Sequence, residues 1–343
     1  MNGSAVTTTH TGATMHHAHN QPAPERRTKV RDYLAQWKGS KIYRVPLVDD
    51  KGVPVGNNGD KLMVLGTDVV FRDLGLTACE RPEDADLIAV SASGGMLEKM
   101  QQIPRLFRGL CARFPDTPLC VLPSSFYWPT RPFAAELGER RAPTTLFCRE
   151  PISFGHLTRD HKLAESVEVV LDHDMAFELE NQPIITSRLA AQQRTVVMVE
   201  RTDVEHVSVG MDSSKLGARK NVGRRVPPWL KKALYPMVNA VRARRQTPFR
   251  ARCESLLREH CPEAVGLHLD IADISNTNTC SFDGFCDRLA AANVVFTTRL
   301  HAGLFAAMLG RRTFIFDGSY HKIRGIYDLS LKDRAHVTFV AKE

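Results

Sequence analysis

Short apolar runs alternate with longer amphipathic stretches through most of the chain. The runs are rich in valine, isoleucine, leucine and phenylalanine, a composition that suits strands covered on both faces. Because helix-like stretches separate them, the strands are expected to run parallel in a doubly wound α/β fold. The runs that predict strands are residues 85–91, 119–126, 145–148, 169–171, 195–200, 294–296 and 313–316.

This alternation lapses between residues 182 and 193, where the chain becomes a polar connection, and it resumes at residue 195. We therefore predict two domains, over residues 26–188 and 189–343. A chain of 343 residues is long enough to give each domain its own core. Residues 1–25 are rich in Thr, Gly, Ala and His without periodicity, and they are predicted to form a disordered tail.

The most informative stretch runs from residue 292 to residue 310. It predicts a buried strand, a helix that Thr298 caps, and a left-handed helix end at Gly310. The apolar residues of the helix recur on one face, and the next strand follows directly, which indicates a βαβ unit. Arg299 and His301 then fall in the first helical turn, at the carboxyl end of a parallel strand.

Open α/β sheets bind ligands at that edge, and a helix N-terminus there favours an anion. Arg299 adds a planar fork that fits a carboxylate or a phosphate, and the loop after the next strand brings Lys322 to the same edge. The stretch therefore predicts an anion site that contains Arg299, His301 and Lys322. The simpler alternative is that Arg299 pairs with a neighbouring carboxylate and that His301 is a half-buried, satisfied histidine.

Two further strands end in charged residues. The strand at 145–148 is followed by Arg149, Glu150 and Ser153, and the strand at 169–171 is followed by Asp172, His173 and Asp174, where the two close aspartates could be a general base or a metal pair. A carboxylate at a strand end can act as a general base, but an Arg–Glu surface pair and a capping aspartate explain the same patterns. No third metal ligand accompanies the acids, so we predict no metal site.

Three other places carry weaker signals. Asn57 and Asp60 flank an Asn-Gly turn, with Asp60 placed to cap the helix that follows. Gly94 follows a buried strand, where a small residue lets a ligand approach the backbone. Ser125 lies at the polar end of the run 119–126 and could either touch a substrate or form a turn.

The formal net charge of +8 favours acidic partners. Residues 215–252 contain no acid and combine many Lys and Arg residues with an apolar helical face. Contact with an anionic membrane surface and a solvated helix packed by one face explain this basic segment equally well. Nucleic acid is not expected, because no stacking aromatics or known motif accompany the charge.

Eight cysteines lack any CxxC pair, which predicts buried, reduced thiols. No stretch is long and apolar enough to cross a bilayer, and the N-terminus has no apolar signal core. We therefore expect a cytoplasmic protein.

The stretch 298–302, the Arg149-Glu150-x-x-Ser153 pattern, the Tyr320-His321-Lys322 run and the Asn-x-Gly-Asp element at 57–60 together resemble the polysaccharide pyruvyl transferase family. Ser91 and Ser93 depart from it, because the family has a fuller glycine cluster there. The resemblance implies two Rossmann-like domains that face each other across a cleft, similar to two-domain, GT-B type glycosyltransferases.

It also implies an activity, the transfer of pyruvate from phosphoenolpyruvate to a sugar of a lipid-linked exopolysaccharide or cell-surface precursor, as a cyclic ketal. Phosphoenolpyruvate is the donor substrate and no cofactor is implied. Arg299, Lys322 and Arg149 would hold its carboxylate and phosphate, and His301 would protonate its methylene carbon. Glu150 or Asp172 would deprotonate the sugar hydroxyl. Ser153, Asn57, Asp60, Ser125 and Gly94 would line the substrate site.

Two alternatives belong to other classes of function. A glycosyltransferase that uses a nucleotide sugar would need the same cationic clamp on phosphates. A scaffold that binds a membrane or nucleic acid through residues 215–252 would need none of the strand-end residues.

Overall fold

The computed structural model describes residues 28–46, 56–92, 94–100, 102–160, 162–201, 247–318 and 321–342. The predicted disordered tail lies outside these residues, as do Ser93, Tyr320 and residues 215–246 of the basic segment. The last part of the basic segment, residues 247–252, is described and forms the beginning of a helix.

Six parallel strands form the first sheet, in the order β2-β1-β3-β5-β7-β8. Two short strands, β4 and β6, form a separate parallel pair. The strands are β1 Lys41–Val45, β2 Thr77–Cys79, β3 Leu87–Val90, β4 Met96–Leu97, β5 Leu119–Ser124, β6 Phe126–Tyr127, β7 Thr144–Cys148 and β8 Val167–Leu171. The accompanying helices are α1 Lys29–Ala35, α2 Asn58–Leu74, α3 Gln102–Arg113, α4 Ala134–Leu137 and α5 Pro151–Thr158.

Five parallel strands form the second sheet, in the order β10-β9-β11-β12-β13. They are β9 Thr195–Val199, β10 His268–Ile271, β11 Ala292–Thr297, β12 Arg312–Phe316 and β13 Val337–Val340. A 3-10 helix, Met175–Leu179, follows β8, and the later helices are α6 Pro183–Thr186, α7 Pro248–His260, α8 Phe282–Ala290, α9 Leu300–Met308 and α10 Lys322–Ser330. The predicted α/β class with parallel, Rossmann-like sheets is confirmed, whereas the domain boundary at 188/189 stays a prediction.

Helix α9 is buried almost all round, from Leu300 and Ala302 through Met308. It packs against β12 on one side and against α2 and α8 on the other. Gly303 allows this close packing, because a Cβ there would lie 2.7 Å from the Ile315 side chain. The prediction of a single apolar face for this helix was therefore too narrow. The predicted βαβ unit is confirmed, since β11 and β12 are parallel neighbours.

Two predicted helix caps were wrong by a few residues. Asn57, not Asp60, is the N-cap of α2: its side chain accepts from the Gly59 N–H at 2.7 Å. Asp60 completes a capping box by accepting from the Asn57 N–H at 2.7 Å. Thr298 does not cap α9, because its hydroxyl accepts from the Arg201 N–H at 2.7 Å and Arg299 occupies the N-cap position.

The N-terminus of α2 is tied to the segment that follows β10. The Asn58 side chain is fully buried and donates to the carbonyls of Ile274 and Cys280 at 2.9 and 3.0 Å. The Asn58 N–H donates to the Ser275 carbonyl at 2.9 Å. These bonds fix an element of the first half of the chain against the second sheet.

All eight cysteines are free thiols, and all but the partly exposed Cys79 are buried. Across the described stretches, none of the helices combines the length and hydropathy that a bilayer crossing requires.

Two helical glycines allow a matched test of the packing. A Cβ on Gly66 of α2 would lie 1.9 Å from the Met175 backbone oxygen, whereas Gly109 of α3 has nothing within 4 Å. Gly66→Ala must push α2 away from the 3-10 helix, so we expect it to lower the free energy of unfolding by about 3 kcal/mol. Gly109→Ala should raise that free energy by about 0.5–1 kcal/mol, because alanine favours the helix. Urea unfolding measures both, and equal effects of the two substitutions would contradict the packing described.

Candidate active site

Arg149 lies at the carboxyl end of β7 and is fully buried. Its Nε donates to the Ser125 hydroxyl at 2.9 Å, and its Nη1 donates to Asp174 Oδ2 at 2.6 Å. Nη1 also lies 3.3 Å from the Met63 sulfur. The guanidinium is therefore held rigidly by groups from β5, α2 and the segment after β8.

The third guanidinium nitrogen, Nη2, has no hydrogen-bond partner among the described residues. It points toward Gly94, where a Cβ would lie 3.0 Å from Arg149 Nη2 and 3.3 Å from Lys322 Nζ. Gly94 follows β3, and Lys322 begins α10 after β12 and is 8% exposed. Two buried cations from different sheets thus converge on a position without a side chain, an arrangement that suits an anionic ligand.

Asp174 joins this cluster to His301. Its Oδ1 accepts from the Ala176 N–H at 2.9 Å, while its Oδ2, besides holding Arg149, lies 3.4 Å from His301 Nε2. Burial raises the pKa of Asp174, but the charge of Arg149 and then that of His301 outweigh it, so the pKa is lowered overall. Asp174 is therefore a carboxylate at neutral pH.

His301 belongs to the first turn of α9, after β11, so it comes from the second sheet. Its ring packs on Gly59 of α2, where a Cβ would lie 2.7 Å from His301 Nδ1. Residues at the carboxyl ends of strands in both sheets therefore meet in one cluster. We define the donor cluster as Gly94, Arg149, Asp174, His301 and Lys322.

Arg299, the neighbour of His301, is paired. Its Nε and Nη2 donate to the two oxygens of Asp273 at 3.1 and 2.6 Å, and both side chains are buried. The alternative that Arg299 pairs with a neighbouring carboxylate is thus confirmed. Asp273 balances the charge of Arg299, as Asp174 balances that of Arg149. Donor binding by Arg299 stays a prediction.

The sequence model of the polysaccharide pyruvyl transferase family matches residues 15–320 of the chain. The protein belongs to the polysaccharide pyruvyl transferase family. The family resemblance of the sequence is thereby confirmed, and with it a transferase that acts in polysaccharide biosynthesis.

The fold is also found among solved structures. The crystal structure of an uncharacterised protein from Klebsiella pneumoniae subsp. pneumoniae matches with a TM-score of 0.58 at 18% sequence identity. The match covers 91% of this chain and 97% of that chain, and at such identity it shows a shared fold alone. No curated protein matches the chain in sequence.

Within this pyruvyl transferase, the carboxylate that contacts Arg149 and lies near His301 is Asp174, whereas Asp172 lies against α1. Asp172 Oδ2 accepts from the Val30 N–H at 2.7 Å and its Oδ1 accepts from the His173 N–H at 2.8 Å, so it caps α1. Burial raises the pKa of Asp172. One oxygen of Asp172 thus accepts from the start of α1 and the other from the N–H of the next residue, and the general-base role of Asp172 stays a prediction. The run Asp-His-Asp signals two candidates, and only tertiary structure separates them.

Glu150 and Ser153 hold the backbone around the site in place. Glu150 is fully buried and caps α5, accepting from the N–H groups of Ile152 and Ser153 at 2.8 and 2.9 Å. The Ser153 hydroxyl accepts from the Phe126 N–H at 2.7 Å and contacts Glu150 Oε1. Ser153 is also fully buried and links β6 to α5, and its predicted contact with a substrate stays a prediction.

Three weaker predictions acquire positioning roles. Ser125 is fully buried and orients Arg149, and the capping box of Asn57 and Asp60 presents Gly59 to His301. Gly94, by contrast, lies directly beside the two cations, Arg149 and Lys322.

The Arg149–Asp174 pair predicts a pH-dependent cost. Asp174→Asn leaves the Arg149 charge buried without its counter-charge, so we expect it to lower the free energy of unfolding by about 3–5 kcal/mol at pH 7. The folded-state pKa of Asp174 is lower than the unfolded one. The stabilisation is therefore present above the unfolded pKa, near 4, and is lost as the pH falls.

Urea unfolding at several pH values should show the gap between wild type and Asp174→Asn narrowing below about pH 4. The control is Asp328→Asn, which breaks an exposed pair with Arg324. It should cost less than about 1 kcal/mol. A gap for Asp174→Asn that stays constant down to pH 3 would contradict the assignment.

Proposed function

We propose that the protein transfers pyruvate from phosphoenolpyruvate to a sugar of an exopolysaccharide or other cell-surface precursor, forming a cyclic ketal. The single observation that carries this proposal is the convergence of Arg149 Nη2 and Lys322 Nζ on Gly94, beside the Asp174–His301 pair. Membership of the family supports it.

The donor carries a carboxylate and a phosphate, and therefore needs more than one cation. Arg149 offers an N–H that has no acceptor among the described residues, and Lys322 supplies a second charge at the same place. The missing side chain at Gly94 lets an anion approach both. Arg299 is proposed as a further contact at the edge of the site, held in place by Asp273.

The chemistry requires a proton on the methylene carbon of the donor. We assign this proton to His301, because an imidazole can act as a general acid and its Nε2 lies 3.4 Å from Asp174 Oδ2 in the donor cluster. The central carbon then accepts one sugar hydroxyl, the bond to the phosphate oxygen breaks, and a second hydroxyl closes the ketal. Of the two hydroxyl protons, one replaces the proton that His301 gave up and the other leaves with the phosphate. The products are the ketal and inorganic phosphate.

We further propose that each sheet with its helices is one Rossmann-like domain, with the boundary at 188/189, and that the substrates lie between the domains as in GT-B type glycosyltransferases. Contacts between α2, the segment after β8 and α9 support this arrangement. The free thiols suit a reducing compartment, so we place the reaction in the cytoplasm, on an acceptor that is lipid-linked. Contact of residues 215–252 with an anionic membrane belongs to the same proposal.

Donor binding is testable with a matched pair of variants on α10. Lys322→Met removes a cation of the donor cluster, whereas Arg324→Met removes an exposed cation two residues away. Calorimetric titration with phosphoenolpyruvate should show affinity weakened about 10–100-fold by Lys322→Met and by Arg149→Lys, because each loses a charge-assisted hydrogen bond. Arg324→Met should bind like wild type. Binding of a nucleotide sugar and not of phosphoenolpyruvate would favour the glycosyltransferase alternative.

His301 is testable by separating binding from turnover. His301→Gln keeps a polar side chain of similar size, so donor affinity should change by less than about threefold while ketal formation falls at least about 100-fold. The assay is mass spectrometry of lipid-linked sugars incubated with phosphoenolpyruvate, where the product gains one pyruvate less one water. Undiminished ketal formation by this variant would remove His301 from the mechanism.

A further inference from the structure

One aromatic side chain near the donor cluster is partly exposed. Tyr127 is 37% exposed, although its neighbour Phe126 in β6 is fully buried. Large aromatic side chains bury substantial apolar area when a ligand covers them, so one left exposed next to a catalytic centre is a candidate contact surface.

Two histidine rings flank Tyr127. The His321 ring lies edge-on at 5.0 Å between centroids, and the His156 ring lies at 6.2 Å. His156 Nε2 accepts from the Trp128 N–H at 3.2 Å, so the neutral ring carries its proton on Nδ1. Trp128 is itself buried and anchored by a bond from its Nε1 to the Met96 carbonyl at 3.2 Å. The position of His156 is therefore fixed by its bond to the anchored Trp128.

His321 connects this group to the donor cluster. Its Nε2 lies 3.5 Å from Glu150 Oε1. Glu150 directly follows Arg149 in the chain, and His321 directly precedes Lys322. Arg149 and Lys322 thus belong to the donor cluster, while their chain neighbours Glu150 and His321 lie on the side of Tyr127.

The two sides differ in charge. The donor side presents Arg149 and Lys322, which suit an anion. The other side presents an aromatic ring and two imidazoles, which suit an uncharged ligand that has both an apolar face and hydroxyl groups. A sugar ring has these properties, because its C–H face can lie on an aromatic ring while its hydroxyls bond to imidazole nitrogens.

We propose that Tyr127, His156 and His321 form the acceptor subsite, with the sugar ring lying on Tyr127. This inference rests on the proposed function, because ketal formation requires the acceptor oxygen within about 3–3.5 Å of the donor carbon. The acceptor must therefore adjoin the donor cluster, and the Tyr127 group does so through both pairs of chain neighbours.

The test measures sugar binding to the full chain without donor. Saturation-transfer NMR with the methyl glycosides of glucose, galactose and mannose should give signal at one or more of them. Tyr127→Ala should reduce that signal at least about fivefold through loss of the stacking surface, whereas Tyr127→Phe should retain it. Val265→Ala, which trims an exposed apolar side chain elsewhere, is the control and should bind like wild type.

Thermal melting checks that Tyr127→Ala stays folded, as expected for a partly exposed side chain. Phosphoenolpyruvate affinity should be unchanged in this variant, while the KM for the acceptor rises about tenfold. An equal sugar signal from wild type and Tyr127→Ala, or no signal from any of the three glycosides, would overturn the subsite. Failure of the proposed function is distinct, because it would appear as absent phosphoenolpyruvate binding while Tyr127-dependent sugar binding persists.

Discussion

The buried carboxylate of Asp174 joins the two sheets at the point where the chemistry is proposed. It accepts from Arg149 at 2.6 Å and lies 3.4 Å from His301, which comes from the other sheet. A buried arginine is costly without a counter-charge, so this contact makes the position of Arg149 possible. It also fixes the direction of the remaining guanidinium nitrogen toward Gly94. Binding geometry and stability therefore depend on one ion pair.

The surrounding frame is built largely from helix starts. Asn57, Glu150, Asp172 and Asp174 each accept from N–H groups at the beginning of a helix. Parallel α/β sheets place such starts at the carboxyl ends of strands, which is also where ligands bind. Capping and catalysis therefore compete for the same carboxylates. In this protein the caps take Glu150 and Asp172, and the pair with Arg149 takes one oxygen of Asp174.

The same competition for carboxylates explains which parts of the fold and of the site could be predicted from the sequence. The predicted strands and the βαβ unit around Arg299 follow from local apolar patterns and are found in the structure, whereas β2, β10 and β13 were not predicted. Asp174 could not be told apart from Asp172 because the two have equal local signals, and their separation depends on Val30 and Arg149, which are distant in sequence. Asp273, the partner of Arg299, could not be found from sequence for the same reason. It follows that loss of activity after removing Arg299 would mix catalysis with stability, because Asp273 would be left buried without its partner.

Residues that are neighbours in the chain lie on different sides of the site, and this limits which of them could change independently. Arg149 and Lys322 face the donor side, while their neighbours Glu150 and His321 approach each other at 3.5 Å on the other side. A shift of either turn would move both sides at once, so these four residues cannot adapt to one substrate independently of the other. Tyr127 lies on β6, outside both turns, and its side chain is partly exposed. It is therefore the position at which the acceptor surface can change while the donor cations stay in place.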